Sequence, residues 1–244
     1  ILGEFVSKRE ESEKAVADYK ETLDAIATQK LDSNIHIKPT HLGLQLDREF
    51  CYQNIRTILA HATSHQSFVR MDMEDSPTID ETLNLYFNLR KEFENVGCVI
   101  QARMRRSLKD IQRLKEIQAN VRLCKGVYLE PPEHAFTDRQ IIQKNYSLLL
   151  HELLEAGCYV GIATHDELLV WEAEKIIHKL GLKSDQYEFQ MLHGVTHQLR
   201  KRIKDAGHRL RVAVPFGPNW YPYSVRRLRK NPAIAGYVIK SIFQ

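Results

Sequence analysis

The sequence predicts an α/β fold, a distorted (β/α)8 TIM-like barrel. Apolar runs of strand length alternate seven times with helical periods. The strand-like runs are apolar throughout, which is typical of parallel strands covered on both faces. Because no hairpin turn or linker interrupts this alternation, we expect one domain over residues 1–244. An open doubly wound sheet is the alternative, but no glycine-rich phosphate fingerprint follows any early strand.

The strands are predicted from apolar runs bounded by turn residues. A strand remnant stands at the front, at residues 1–4. The other predicted strands are 35–39, 68–73, 96–101, 121–125, 159–164, 187–192 and 210–215. Residues 121–125 matter most to the interpretation, because a charged arginine and lysine at the end of a buried strand are costly unless something pairs with them.

The helices are predicted from apolar residues that recur every three or four positions, and from cap residues. In chain order they are 10–28, 47–62, one opening at Ser76, one opening at Ser107, 138–154, 167–180, 197–206 and one from about Tyr221. Ser76 and Pro77 predict an N-cap followed by proline at the first helical position. Ser107 and Asp110 predict a capping box, and Gly181 predicts a helix end.

Composition narrows the class of protein. With 43% hydrophobic and 27% charged residues, the chain is expected to bury a substantial core. A net charge of +4 without a polybasic tract argues against nucleic acid as a partner. Four widely spaced cysteines without a CxxC pair, no signal peptide and no apolar run of membrane-spanning length predict a reduced, cytoplasmic protein.

The start of the chain predicts a missing segment. The sequence opens without methionine, and the first barrel strand and the helices before it are nearly absent. A barrel without its first strand should be unstable. We therefore expect the chain to lack an N-terminal segment.

Polar residues end at least five of the predicted strands. In a barrel the carboxyl ends of the strands form one mouth, where active sites are built. This mouth is expected to gather Lys38, Asp72, Gln101, Arg122, Lys125, Thr164, His165 and Gln190. With Arg226 and Arg227 added, cations exceed acids, which favours an anionic cofactor and a carboxylate substrate. Neither a two-carboxylate hydrolase site nor a Ser-His-Asp arrangement is indicated.

Each of these residues also has a plain structural interpretation. Lys38 could extend along apolar surface with its ammonium group in water, and Asp72 could cap a helix. His165 could be a helix N-terminal group, which is more common than a metal ligand. His61 and His65 are four residues apart on a predicted helix, but no third ligand is expected nearby, so no metal site is predicted.

Taken together, a set of ordered motifs identifies a family resemblance. The motifs lie at residues 2–4, 37–38, 42–44, 70–75, 101–102, 122–128, 163–166, 189–192 with Gly194, 214–217, 220–223 and 226–228. In this set and order the sequence resembles the proline dehydrogenases, flavoenzymes built on a distorted (β/α)8 barrel. It looks most similar to the monofunctional bacterial type, because no aldehyde dehydrogenase portion is attached.

The resemblance implies a role for each motif residue. Arg122 would lie beside flavin N5 and stabilise negative charge on the reduced ring, and Asp72 would order the mouth by pairing with cations. FAD contacts are implied for Met73, Gln101, Arg122, Lys125, Gly126, Thr164, His165 and Gln190. Substrate contacts are implied for Lys38, Tyr128, Leu192, Ala213, Tyr223, Arg226 and Arg227. Glu4 would pair with Arg226 as a gate over the substrate.

The resemblance implies FAD-dependent oxidation of L-proline to 1-pyrroline-5-carboxylate, the first step of proline catabolism, with electrons passed to a quinone. A peripheral contact with the inner face of the membrane would give access to that quinone. Two alternatives remain open: a dehydrogenase of 4-hydroxyproline or another cyclic imino acid, and a flavin-free binding barrel. Sequence leaves the electron acceptor, the oligomeric state and the pathway partner undetermined.

The chain departs from the family pattern at several positions. Ala213 stands where a tyrosine usually packs on the proline ring, which should loosen the pocket and keeps hydroxyproline open as a substrate. Residues 103–105 replace a mostly aromatic and apolar stretch, and Lys230 stands where glutamate is common.

Overall fold

A computed structural model describes residues 3–215 and Val225. The described chain divides into two compact units, residues 3–99 and residues 100–215 with Val225. In both units parallel strands alternate with helices, and strand order follows sequence order. The predicted α/β class is confirmed.

The first unit begins with a helix. Its elements are α1 (Arg9–Thr28), β1 (Ile35–Ile37), α2 (Arg48–Ser64), β2 (Val69–Met71), α3 (Ile79–Arg90) and the start of β3 (Val96–Gln101). β1 pairs with β2 and β2 with β3. Helix α1 packs on α2 through its apolar stripe, in which Tyr19 and Leu23 are fully buried.

The second unit continues the same alternation. Its elements are the end of β3, α4 (Ser107–Glu116), β4 (Asn120–Cys124), α5 (Arg139–Glu155), β5 (Tyr159–Ala163), α6 (Glu167–Leu180), β6 (Tyr187–Leu192), α7 (His197–Asp205) and β7 (Leu210–Ala213). β4 to β7 pair in order, each parallel to the next. Gly181 ends α6 in the left-handed conformation at φ +62°, as its sequence position predicts.

Two predicted helix caps are wrong, although a helix does open at Ser107. Asp75, not Ser76, is the cap of a 3-10 turn over Ser76–Thr78, and α3 begins only at Ile79. Ser107 is the first residue of α4, and its hydroxyl donates to the carbonyl of Gln101 at 2.6 Å. A tertiary partner has replaced the local capping bond in the second case.

Several strands are shorter than the apolar runs that predict them. β1, β2, β4, β5 and β7 each end one or two residues early, so the polar residues that follow them lie in the connecting loops. The strand predicted at residues 1–4 is not seen at Gly3 or Glu4. The helix predicted from Tyr221 lies outside the described residues, apart from Val225, which is helical. Within residues 3–215, no helix is long and apolar enough to cross a bilayer.

Candidate active site

The sheet formed by β4 to β7 has two chemically different faces. Side chains alternate along a strand, and paired residues of parallel strands point the same way. Tyr146 of α5 lies fully buried on one side, and its hydroxyl donates to the carbonyl of Leu123 at 3.1 Å. The other side carries Arg122, Gln190 and Arg211, and the candidate site of the second unit is built on it.

A buried carboxylate organises this polar face. Glu188 is 2% exposed, and both of its oxygens accept hydrogen bonds from Arg211 Nε at 3.0 Å. Arg209 Nε lies 3.6 Å from the same carboxylate. Gln190 Nε2 donates to Glu188 at 2.6 Å, while Gln190 Oε1 accepts from Arg122 Nε at 2.6 Å. Gln190 therefore links the buried acid to Arg122 and fixes how the guanidinium lies.

Gly161 has no side chain, and Gln190 occupies the space that a side chain there would fill. It pairs with Arg122 on one side and with Glu188 on the other, so a side chain there would enter the polar face. A Cβ on Gly161 would lie 2.4 Å from Gln190 Nε2. Because that distance is far below van der Waals contact, any larger residue at position 161 must displace Gln190.

Lys125 follows β4 and meets an acid rather than standing alone. Its Nζ lies 3.0 Å from Asp166 Oδ2, which also accepts from Gln143 Nε2 at 2.7 Å. Arg139 lies 3.4 Å from the same oxygen. Although burial favours the neutral acid, the bonds from Lys125 and Gln143 and the charge of Arg139 hold the pKa of Asp166 below its ordinary value.

The backbone after Lys125 turns at a glycine. Gly126 has a φ of +97°, and a Cβ on it would lie 2.6 Å from Arg103 and 2.9 Å from Gln101 Oε1. The amides of Ala102 and Arg103 donate to the carbonyls of Cys124 and Lys125 at 2.7 and 2.9 Å. Gln101, which is 3% exposed, is thereby held beside the Lys125–Gly126 turn.

Tyr128 lies two residues beyond that turn. Its carbonyl accepts a hydrogen bond from Arg103 Nη1. Burial lowers the pKa of Arg103 from its usual high value, although the guanidinium remains charged at neutral pH. The departure from the family pattern at Arg103 thus has a structural use, since this side chain ties the loop of Tyr128 to the end of β3.

The end of β5 is tied to the end of β6. His165 Nε2 accepts a hydrogen bond from the backbone amide of Leu192 at 2.9 Å, which requires that nitrogen to be unprotonated. Thr164 Oγ1 accepts from the amide of Asp166 at 3.1 Å. Ala213 of β7 is the register partner of Leu192, so their side chains share the face that carries Gln190.

The first unit holds a second group of predicted site residues. Lys38 and Asp72 directly follow Ile37 and Met71, which are register partners of β1 and β2. Lys38 Nζ lies 3.2 Å from Asp72 Oδ2, and the Asp72 amide donates to the Ile37 carbonyl at 2.8 Å. Met73, the next residue along the chain, is buried.

Glu74 fixes the loop after β1. It is fully buried, and its two oxygens accept from the amide of Thr40 at 3.0 Å and the hydroxyl of Thr40 at 2.6 Å. Burial raises the pKa of Glu74. Thr40 in turn accepts hydrogen bonds from the amides of Phe5 and Val6, so it anchors the segment that carries Glu4.

Tyr223, Arg226 and Arg227 lie outside the described residues, so the predicted Glu4–Arg226 gate stays a prediction. Sequence reasoning gave no site role to four ordering residues: Glu74, Asp166, Glu188 and Arg211. A signal existed for two of them. Glu188 stands two residues before Gln190, and Arg211 two residues before Ala213, so each shares a strand face with a predicted site residue.

The donor set fits an anionic, acceptor-rich group. Gln101 ends β3, Arg122 lies within β4 and Lys125 directly follows β4, where Gly126 turns the backbone at a φ of +97°. The missing side chain at Gly161 leaves room for Gln190, which orients Arg122. This combination suits a phosphate-bearing cofactor with a planar, hydrogen-bonding ring.

Comparison with known proteins gives a consistent result. The family model described as proline dehydrogenase matches residues 1–240. Proline dehydrogenase 1 of Bacillus subtilis strain 168 is 34% identical over 243 residues, covering 100% of this chain and 80% of that protein. Proline dehydrogenase of Deinococcus radiodurans is 33% identical over 249 residues, with the same two coverages.

Solved structures show the same fold. Proline utilization A (PutA) from Bdellovibrio bacteriovorus, inactivated by N-propargylglycine, matches 93% of this chain with a TM-score of 0.85 and 25% identity. PutA from Corynebacterium freiburgense matches 100% with a TM-score of 0.81 and 22% identity. The chain spans 29% of the length of each of these two proteins. The predicted TIM-like barrel class is confirmed by these matches.

Gly161→Ala should destabilise the protein through Gln190. Alanine normally stabilises a strand interior relative to glycine, but here its Cβ displaces an amide that satisfies a buried carboxylate. We expect a loss of about 1–3 kcal/mol in urea unfolding. In a Gln190→Ala background the clashing atoms are gone, so the same substitution should cost much less. Equal costs in the two backgrounds would contradict this packing.

Proposed function

We propose that this chain, which belongs to the proline dehydrogenase family, oxidises L-proline to 1-pyrroline-5-carboxylate with FAD as its cofactor. The observation that carries the proposal is the Arg122–Gln190–Glu188 link, which holds one guanidinium on the polar face of the sheet. Family membership supports the reaction, and the donor-rich strand ends support the cofactor.

The residues that would hold FAD fall into two chemical groups. Arg122, Gln101 and Gln190 offer donors and acceptors suited to the polar edge of a flavin. Lys125, Thr164 and His165, with the backbone at Gly126, would hold the diphosphate and the rest of FAD. The backbone of Met73 would also contact FAD. When bound, FAD supplies the acceptor for the hydride that leaves the substrate.

The chain's own residues would orient the substrate and exclude water. Lys38 would bind the carboxylate together with Arg226 and Arg227, because a carboxylate is the strongest handle that proline offers. Asp72 keeps the Lys38 ammonium group in place through the ion pair at 3.2 Å. Tyr128, Leu192, Ala213 and Tyr223 would form the apolar walls around the ring.

Electron transfer to a quinone is part of the same proposal. A quinone is lipid-soluble, so we infer a cytoplasmic protein that makes peripheral contact with the inner face of the membrane. Glu4 would pair with Arg226 and cover the bound substrate.

The deciding experiment is anaerobic reduction of the purified chain after loading with FAD. We expect a yellow protein with one flavin per chain, bleached by L-proline with formation of 1-pyrroline-5-carboxylate. D-Proline is the control and should leave the flavin oxidised. A chain that takes up no FAD would favour a flavin-free binding barrel and overturn the proposal.

Arg122→Ala should slow flavin reduction more than it weakens substrate binding. Negative charge grows where this guanidinium points, and one such donor is worth about 3 kcal/mol, or roughly 100-fold in rate. Arg122→Lys keeps the charge but loses the Nε bond to Gln190, so it should recover only part of the rate. Arg56→Ala, which removes an exposed ion pair on α2, is the control. Unchanged stopped-flow reduction in Arg122→Ala would remove Arg122 from this role.

Ala213 favours a second candidate function, oxidation of 4-hydroxyproline or another substituted cyclic imino acid. Its methyl group shares a sheet face with Leu192 and Gln190. A tyrosine at this position would fill the space beside Leu192 that a ring substituent could otherwise occupy. A small residue here therefore supports a broader substrate range.

Ala213→Tyr should raise the preference for proline over 4-hydroxyproline. The added ring restores an apolar contact worth about 1–3 kcal/mol to proline, and it clashes with the hydroxyl of the alternative substrate. The measurement is the ratio of kcat/KM for the two substrates, with Ala213→Ser as a small-residue control. If Ala213→Tyr leaves the ratio unchanged, this position does not set specificity.

A further inference from the structure

A cluster of two histidines and an aspartate joins α1 to α2, within the first unit. His61 and His65 lie one turn apart on α2, as the sequence predicts, and their ring centroids are 4.9 Å apart. The prediction that no third ligand lies nearby is wrong. Asp24 of α1 reaches both rings, its Oδ1 lying 2.7 Å from His61 Nε2 and 2.8 Å from His65 Nε2.

We propose that Asp24, His61 and His65 form a binding site for a divalent transition-metal ion, with Zn²⁺ as the best fit. The potential ligand atoms of the three side chains all lie within 4.8 Å of one another. Two imidazole nitrogens and one carboxylate oxygen are a common three-ligand set for zinc, with a fourth position left for water.

The spacing is close to what the ion requires. Zinc–nitrogen and zinc–oxygen bonds of about 2.0–2.2 Å in a tetrahedron place ligand atoms about 3.4 Å apart. The two histidine–aspartate contacts, at 2.7 and 2.8 Å, must therefore open by about 0.6–0.7 Å. The groups are partly exposed, with side-chain exposures of 23% for His61, 28% for His65 and 53% for Asp24, so small rotations can provide that.

The local charge favours a cation. His65 caps the carboxyl end of α2, and Asp24 lies near the carboxyl end of α1, which ends at Thr28. Unsatisfied carbonyls give the carboxyl end of a helix partial negative charge.

The cluster is open to solvent on one side. An open cleft of about 520 Å³ is lined by His65, Ser64 and the loop that follows α1, including Asp32. Of the three proposed ligands only His65 lines this cleft, but all three side chains are partly exposed, so solvent can supply the fourth ligand. The ion would then join two packed helices and act as a structural site rather than as part of the oxidation chemistry.

The types of ligand favour Zn²⁺ over a hard cation such as Ca²⁺ or Mg²⁺. Imidazole suits zinc, copper and nickel, whereas calcium and magnesium prefer sites built from oxygen. Cu²⁺ stands above Zn²⁺ in the general affinity order of divalent metals, so it would compete with Zn²⁺ for this site in solution. The tetrahedral set with one carboxylate is nonetheless typical of zinc.

The test is metal titration of the purified full chain after treatment with a chelator. Zn²⁺ is added in competition with a chromophoric chelator, and thermal unfolding is followed with and without the ion. We expect one tight equivalent and a rise in Tm of several degrees, since an ion that binds only the folded state stabilises it. His61→Gln, His65→Gln and Asp24→Asn should each weaken binding at least tenfold and abolish the Tm shift.

Two controls make the result specific. His151→Gln removes a histidine that contacts a carboxylate, Glu155, one turn away on α5, so it should leave Zn²⁺ binding unchanged. A Co²⁺ spectrum should show nitrogen and oxygen ligands without the charge-transfer band of a thiolate. No tight equivalent in the unsubstituted chain would overturn the proposal, and so would full-strength binding in the His61→Gln and His65→Gln variants. Neither result depends on FAD loading or on proline oxidation.

Discussion

Burial of the Glu188 carboxylate is the constraint on which the candidate site depends. A buried charge is tolerated only when it is paired and its oxygens are hydrogen-bonded. Arg211 satisfies both oxygens, and Gln190 adds a third donor. Once Gln190 Nε2 is committed to Glu188, its Oε1 must point the other way, where Arg122 meets it. Glu188 therefore sets the position of Arg122 indirectly, because Glu188 orients the Gln190 amide and Gln190 orients Arg122. Gly161 leaves room for that amide.

The first unit uses a buried carboxylate in the same manner. Glu74 is inaccessible to solvent, and Thr40 donates two hydrogen bonds to it. Thr40 stands two residues after Lys38, so the bond restricts the loop in which Lys38 meets Asp72. Burial raises the pKa of Glu74, while the charge of Lys38 and the two hydrogen bonds from Thr40 favour its ionised form. In both units an interior acid positions a cation at a strand end.

Periodicity alone predicted most of the fold, because the helices bury one apolar face and the strands are rich in apolar residues. α6 and β6 have the bounds that the sequence predicts. Ser107 does not cap α4, because its hydroxyl donates to the carbonyl of Gln101, a partner six residues away that no local pattern reveals. The sequence did not predict Asp24 as a partner of His61 for the same reason, since 37 residues separate the two. The sequence predicted which polar residues lie at the strand ends, whereas the partner of each polar side chain depends on tertiary packing.

The sequence also overstated the free positive charge of the candidate site. Counted by residue type, the strand ends carry more cations than acids, yet Lys38 and Lys125 each meet a carboxylate, Asp72 and Asp166. Such pairing stabilises the folded chain before any anion binds, because Lys38 and Lys125 each have an acidic partner. Asp166 has further donors in Gln143 and Arg139, so it stays satisfied if Lys125 turns towards a phosphate. Anion binding can therefore exchange one partner of Lys125 for another without leaving Asp166 uncompensated, which lowers the cost of loading the cofactor.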